Sequence, residues 1–132
     1  MPNLMRLNEA LNTHIRPQCF PVAIRMLEDD DSLPEKTRIP SKHFGKKFAI
    51  CQAIGMVRRY GWTLALGRQD MSCPLGAIAM GFEEAKAYYK EGNLGYEMFN
   101  ECLEAGAHSE DVIDKFPQGK YQSILMAPIT RE

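Results

Sequence analysis

The stretch KKFAICQAIGMVRRYGWTLALG, residues 46–67, changes its hydrophobic period across a single glycine. Before Gly61, the side chains Phe48, Cys51, Ile54 and Val57 recur every three residues, which predicts a helix over 46–60 with these four on one face. Gly61 is placed to stop that helix, because glycine readily takes the left-handed conformation that closes a helix end. After it, WTLAL (62–66) is a bulky apolar run of strand length, bounded by Gly67. A helix that feeds directly into a strand calls for a mixed architecture, with helices packed on a sheet.

The rest of the chain is punctuated in the same way. Residues 3–16 carry Leu4, Leu7, Leu11 and Ile15 at helical spacing, with Asn3 as the N-cap and Arg16-Pro17 as the stop. FPVAIRML (20–27) alternates weakly and runs into the acidic Glu28-Asp29-Asp30-Asp31, so it reads as a strand and a turn. Residues 28–45 hold Pro34, Pro40, Gly45 and many charges, and read as a long exposed loop. In DMSCPLGAIAMGF (70–82), Asp70, Ser72 or Cys73 is placed to cap a helix whose first turn holds Pro74. Further helices are expected over 83–90, 96–105 and 109–116, and Pro117-Gln118-Gly119 turns the chain into a last strand, 121–127. The order α, β, α, β, α, α, α, β is that of an α/β or α+β domain: a small sheet of three to four strands packed with several short helices. The 132 residues suffice for one domain, 1–132, with its own core.

Composition excludes more than it proposes. At 45% hydrophobic and 25% charged the chain has a globular balance, and its net charge of −1 offers no basic excess for nucleic acid. No run approaches the roughly 20 apolar residues of a membrane span. The amphipathic N-terminus, MPNLMRLNEALNTHI, has no signal-peptide core, so a cytoplasmic protein is expected.

Chemistry rests on the cysteines. Cys19, Cys51, Cys73 and Cys102 are widely spread without a CxxC pair, which is not the pattern of a disulfide framework. Cys73, at a helix N-terminus, meets unpaired N–H groups and the positive end of the helix dipole. Such surroundings favour the thiolate, the form that ligates metal or attacks an electrophile. A capping or buried cysteine explains the same position. Cys51 reads as mid-helix on the apolar face, where a lone cysteine is usually a small core residue. The two thiols meet if their helices pack together. Two are too few for an iron–sulfur or structural zinc site, which takes four ligands. Cys19, Cys102, His14, His43 or His108 would have to join, or a site shared across a dimer would supply the number.

Other signals are weaker. The basic segment 42–47, continued by Arg58-Arg59, reads as a solvated face, with a phosphate or carboxylate contact as the alternative. Glu83 and Glu84 are adjacent and point to different helix faces, so they do not form an acid–base pair. No P-loop or dinucleotide-binding glycine fingerprint is present. The small residues of GAIAMG suit close backbone packing.

Four segments in order, FPVAIRML (20–27), CQAIGMVRRYGWTLAL (51–66), DMSCPLGAIAMGF (70–82) and FPQGKYQSILMAPI (116–129), resemble the N-terminal half of domain-of-unknown-function family 169. The resemblance places Cys51 and Cys73, and not Cys19 or Cys102, on the family's cysteine positions. Members are common in anaerobic prokaryotes, archaea included, which implies an iron–sulfur cluster or another thiolate-bound metal held by Cys51 and Cys73. The family carries no settled activity. Its members typically continue for about as many residues again, which implies a short variant, a separate subunit supplying the other half, or a truncated chain. The expected function is therefore an iron–sulfur or metal-binding redox or accessory protein. A non-catalytic binding or assembly module with structural cysteines is the alternative. A thiol enzyme with Cys73 as nucleophile stands behind both, because no base for it is visible. The last strand is read as open on its sheet, which implies a homo-oligomer.

Overall fold

Three short strands form the sheet, and the last of them in sequence lies in the middle. In the computed structural model, which describes residues 3–29, 31–87, 89, 90 and 114–129, β1 (Val22–Leu27), β2 (Leu64–Gly67) and β3 (Ser123–Pro128) are ordered β1-β3-β2. Both pairings are antiparallel, with Val22 opposite Pro128 and Leu64 opposite Met126. The expected small sheet with short helices is therefore present. The reading of an open final strand is corrected: β3 is hydrogen-bonded on both sides. The outer side of β2 is met by Arg38, whose N–H donates to the Thr63 carbonyl and whose carbonyl accepts from Ala65 N–H. Among the described residues, β1 pairs only with β3.

Among the described residues, four α-helices accompany the sheet. α1 (Leu4–His14) starts as expected at Asn3, whose Oδ1 accepts from the Arg6 N–H at 3.1 Å. Its apolar stripe does not face the core, however. Leu4, Leu7 and Ile15 are exposed, Leu11 is half-buried, and the most buried side chain of the helix is Asn8, 4% exposed. α2 (Pro40–Phe44) interrupts the expected long loop. Pro40, read as a breaker, occupies the first helical turn, where its missing N–H costs nothing.

α3 (Ile50–Tyr60) packs across all three strands and ends at Gly61, φ +67°, as its sequence indicates. It starts four residues later than expected, since Phe48 is extended and bridges Met71 in parallel. Ala53 and Val57 of α3 meet Leu64, Leu66, Ile124 and Met126 of the sheet; of these six, five are fully enclosed and Ile124 is 3% exposed. Burying side chains of this size is the main favourable term in the fold, each contributing about 1.5–3 kcal/mol. After β2, a 3-10 turn (Arg68–Asp70) leads to α4 (Pro74–Ala79). Of the helix expected over 83–90, residues 83–86 are non-helical, while 87, 89 and 90 are helical. The expected helix 96–105 and most of 109–116 lie outside the described residues.

Gly81 fixes how α4 leaves the sheet. It has φ +74°, and a Cβ there would lie 1.8 Å from the Pro117 carbonyl oxygen. The Gly119 N–H donates to the Gly81 carbonyl at 2.9 Å. The turn that delivers β3 is thus seated directly on the end of α4.

Candidate functional site

The two helices that carry the family's cysteine positions begin side by side. The Phe48 N–H donates to the Asp70 carbonyl at 2.8 Å, and the Ser72 N–H donates to the Phe48 carbonyl at 3.0 Å. From this short parallel ladder, α3 starts two residues after Phe48, and α4 starts three residues after Met71. The Cδ1 of Ile50 lies 3.4 Å from where a Gly76 Cβ would stand. The first turn of α3 and the start of α4 are thus within side-chain contact distance at Gly76.

Cys73 is the N-cap of α4, and its Sγ accepts from the Gly76 N–H at 3.3 Å. The capping role read from the sequence is therefore realised. Cys51 is placed differently from its sequence reading. It stands in the first turn of α3, not mid-helix, and it is exposed, while Ala53 and Val57 form the buried face. Of the expected stripe, Val57 is buried and Ile54 packs against the core, while Phe48 is buried outside the helix and Cys51 alone turns to solvent. Gln52 Oε1 accepts from the Ala49 N–H at 2.8 Å, which closes the start of α3 as one half of a capping box. Cys51, Cys73 and Cys19 are free thiols.

The junction is held by a residue whose role the sequence did not reveal. Asp70 is 1% exposed. Its Oδ1 accepts from the Ser41 N–H at 3.0 Å and its Oδ2 from the Gly67 N–H at 3.1 Å. One carboxylate thus satisfies the first turn of α2, the end of β2 and its own 3-10 turn. An aspartate three residues after a glycine is a local signal for the second contact, but nothing local announces Ser41.

The remaining candidates disperse. His43 belongs to α2, where its Nδ1 accepts from the Ile39 N–H at 2.9 Å, so it is tied to its own helix start. His14 is exposed in the last turn of α1. Cys102 and His108 lie outside the described residues. Among the described residues, no three of His, Cys, Asp and Glu converge on a point that would hold a metal ion. Cys19 stands apart from the other two thiols, in a groove between α1 and α3, with Arg58 donating to its sulfur through Nε at 3.3 Å and Nη2 at 3.1 Å. Sequence spacing had not brought it forward.

These features define a mixed module in which a three-stranded antiparallel sheet sets two cysteine-bearing helix starts next to each other. The chain belongs to the family DUF169, described as uncharacterised ArCR, whose family model matches residues 10–132. No curated protein and no solved structure matches it. Among the described residues no helix is long and apolar enough to cross a membrane.

Proposed function

We propose that this protein is a metal-binding redox or accessory protein whose Cys51 and Cys73 ligate an iron–sulfur cluster or another thiophilic metal. The observation that carries the reading is the Phe48–Met71 ladder, which starts the two cysteine-bearing helices together. The donor chemistry fits: both are free thiols, the residue type that soft metals and iron–sulfur clusters take. The number fits only in part, because an iron–sulfur cluster or a structural zinc takes four ligands and this pair gives two. A second copy contributing its own Cys51 and Cys73 makes four, and the exposure of Cys51 leaves it accessible to such a partner. The exposed stripe Leu4, Leu7 and Ile15 also supports a partner chain, either that copy or a separate subunit. Free thiols of this kind suit a reducing cytoplasm.

The second reading is a binding or assembly module with structural cysteines, favoured by Cys73 serving as a helix cap. Anaerobic purification with a visible spectrum, and iron, zinc and sulfide analysis, separates the two. The metal reading expects bound metal at one site per two chains, lost in both Cys51→Ser and Cys73→Ser. Cys73→Ser should leave the fold intact, because serine is itself a favoured N-cap. A colourless, metal-free protein refutes the metal site and leaves the module.

A further inference from the structure

The groove between α1 and α3 has about 660 Å³ of volume, and Arg58, Arg59, Asn8, Asn12, Gln18 and Cys19 supply its polar lining. We propose that it is a binding site for a small organic oxyanion, with the anionic head on Arg58 and Arg59 and an apolar body against Phe20, Pro21 and Ile129. The site is separate from Cys51 and Cys73 and does not depend on what they bind.

Three observations converge on an anion. The first is uncompensated charge. No carboxylate lines the groove, and the ion pairs among the described residues join Arg25 to Asp31, Arg68 to Glu83 and Lys90 to Asp114. Two guanidinium groups therefore share one concavity in a chain whose net charge is −1.

The second is orientation. Arg58 gives the edge formed by Nε and Nη2 to the Cys19 sulfur. A guanidinium has five N–H donors, so the end-on fork, one N–H each from Nη1 and Nη2, remains free. That fork matches the two oxygens of a carboxylate or phosphate, and such bidentate contacts are the strong ones. Cys19 thus acts as a positioning residue for Arg58. Gly55, three and four positions before Arg58 and Arg59, lies on their side of α3, and a Cβ there would meet nothing within 4 Å. The glycine leaves room in front of the two cations.

The third is Asn8. It is 4% exposed and lines the groove from the inward face of an otherwise apolar-striped helix. Its Oδ1 accepts from Asn12 Nδ2 at 3.0 Å, and Asn12 also donates to the Asn8 carbonyl at 2.8 Å. Among the described residues, Asn8 Nδ2 donates to no protein acceptor. The residue is held in place by its Asn12 contact, and its amide NH2 remains open to an acceptor in the groove. It faces the same volume as the two arginines.

The test uses Cys19 as a built-in reporter in the full chain under reducing conditions. Iodoacetate carries a carboxylate to the thiol, and iodoacetamide is its neutral counterpart. Each alkylates sulfur with loss of iodide. Peptide mass spectrometry reads the iodoacetate-to-iodoacetamide rate ratio at Cys19 and at the exposed Cys51. The ratio at Cys19 should be roughly tenfold the ratio at Cys51, the low end of anion enrichment in a charged cleft. Arg59→Gln should reduce it. In the unmutated protein, benzoate or phenyl phosphate should slow alkylation at Cys19 and not at Cys51, with sodium chloride at equal ionic strength as the control. Protection by benzoate assigns a carboxylate head, and protection by phenyl phosphate a phosphate head. Equal ratios at the two cysteines, or protection no better than that of sodium chloride, would overturn the proposal. Because the competition is run on the unmutated chain, a folding defect in the variant cannot mask the answer.

Discussion

Replacing Gly81 by alanine should damage the fold far more than the same change at another left-handed glycine. Gly81, Gly45 and Gly119 all have φ near +60 to +75°, at +74°, +63° and +62°. Alanine in that region costs about 1–2 kcal/mol wherever it occurs. At Gly45 and Gly119 a Cβ meets nothing within 4 Å, so the backbone term is the whole cost. At Gly81 the Cβ would fall 1.8 Å from the Pro117 oxygen and 2.5 Å from its carbonyl carbon, where real Cβ contacts essentially never come under 3.0 Å. The obstacle is backbone, so no rotamer relieves it, and the two segments must part by about 1.2 Å. Such a shift breaks the bond between Gly119 and Gly81 that seats the turn before β3. Overpacking of this kind costs about 1–3 kcal/mol beyond the strain. Gly81→Ala is therefore expected to lose roughly 2–5 kcal/mol, against about 1–2 for Gly45→Ala. Urea denaturation followed by Trp62 fluorescence and circular dichroism measures both. Equal losses at the two glycines would show that residues 117–119 do not sit on α4 as described.

Two further results should follow from the same geometry. Asp70→Asn keeps the side-chain shape but turns an amide NH2 towards a backbone N–H, so a loss of about 1–3 kcal/mol is expected in urea unfolding, with Asp70→Ala losing more; an unchanged midpoint for Asp70→Asn would refute the double acceptor role. Asn3→Ala removes the cap of a helix that packs loosely, so amide exchange in α1 should quicken by about fivefold, the equivalent of ~1 kcal/mol, while the global urea midpoint stays put; a lowered midpoint would mean that α1 unfolds with the core.

What was legible in the sequence was local. Asn3 as cap, Gly61 as stop, and Cys73-Pro74 as a helix start are each decided by the backbone chemistry of a few neighbours. The α2 helix was hidden because a proline reads as a breaker unless it occupies the first turn, as Pro40 does. The exposure of Cys51 was missed for a subtler reason. Phe48 is buried in the ladder with Met71 rather than in the helix, and the stripe within α3 runs through Ile50, Ala53, Ile54 and Val57, so a three-residue count from Phe48 picks up Cys51 by mistake. The contacts of Asp70 with Ser41, of Arg58 with Cys19 and of β3 with both other strands all join residues at least 29 positions apart. No periodicity carries information at that range. Stripe reading failed in part at α1, where Leu4 and Leu7 face outward, Leu11 is half-buried and Asn8 faces in.

The central position of β3 also governs when the fold can form. Among the described residues, β1 and β2 do not pair with each other; each is joined to the sheet only through residues 123–128. Val22 must find Pro128, about 106 positions along the chain, and Leu64 must find Met126. Contacts of such separation slow folding, because loop closure precedes any gain from pairing. During synthesis the first two strands therefore emerge as solitary apolar segments and wait until the ribosome has made β3. A nascent chain stalled before residue 123 would show helix without sheet and would depend on chaperones, whereas one extended past residue 128 and clear of the exit tunnel could acquire the whole sheet in one cooperative event.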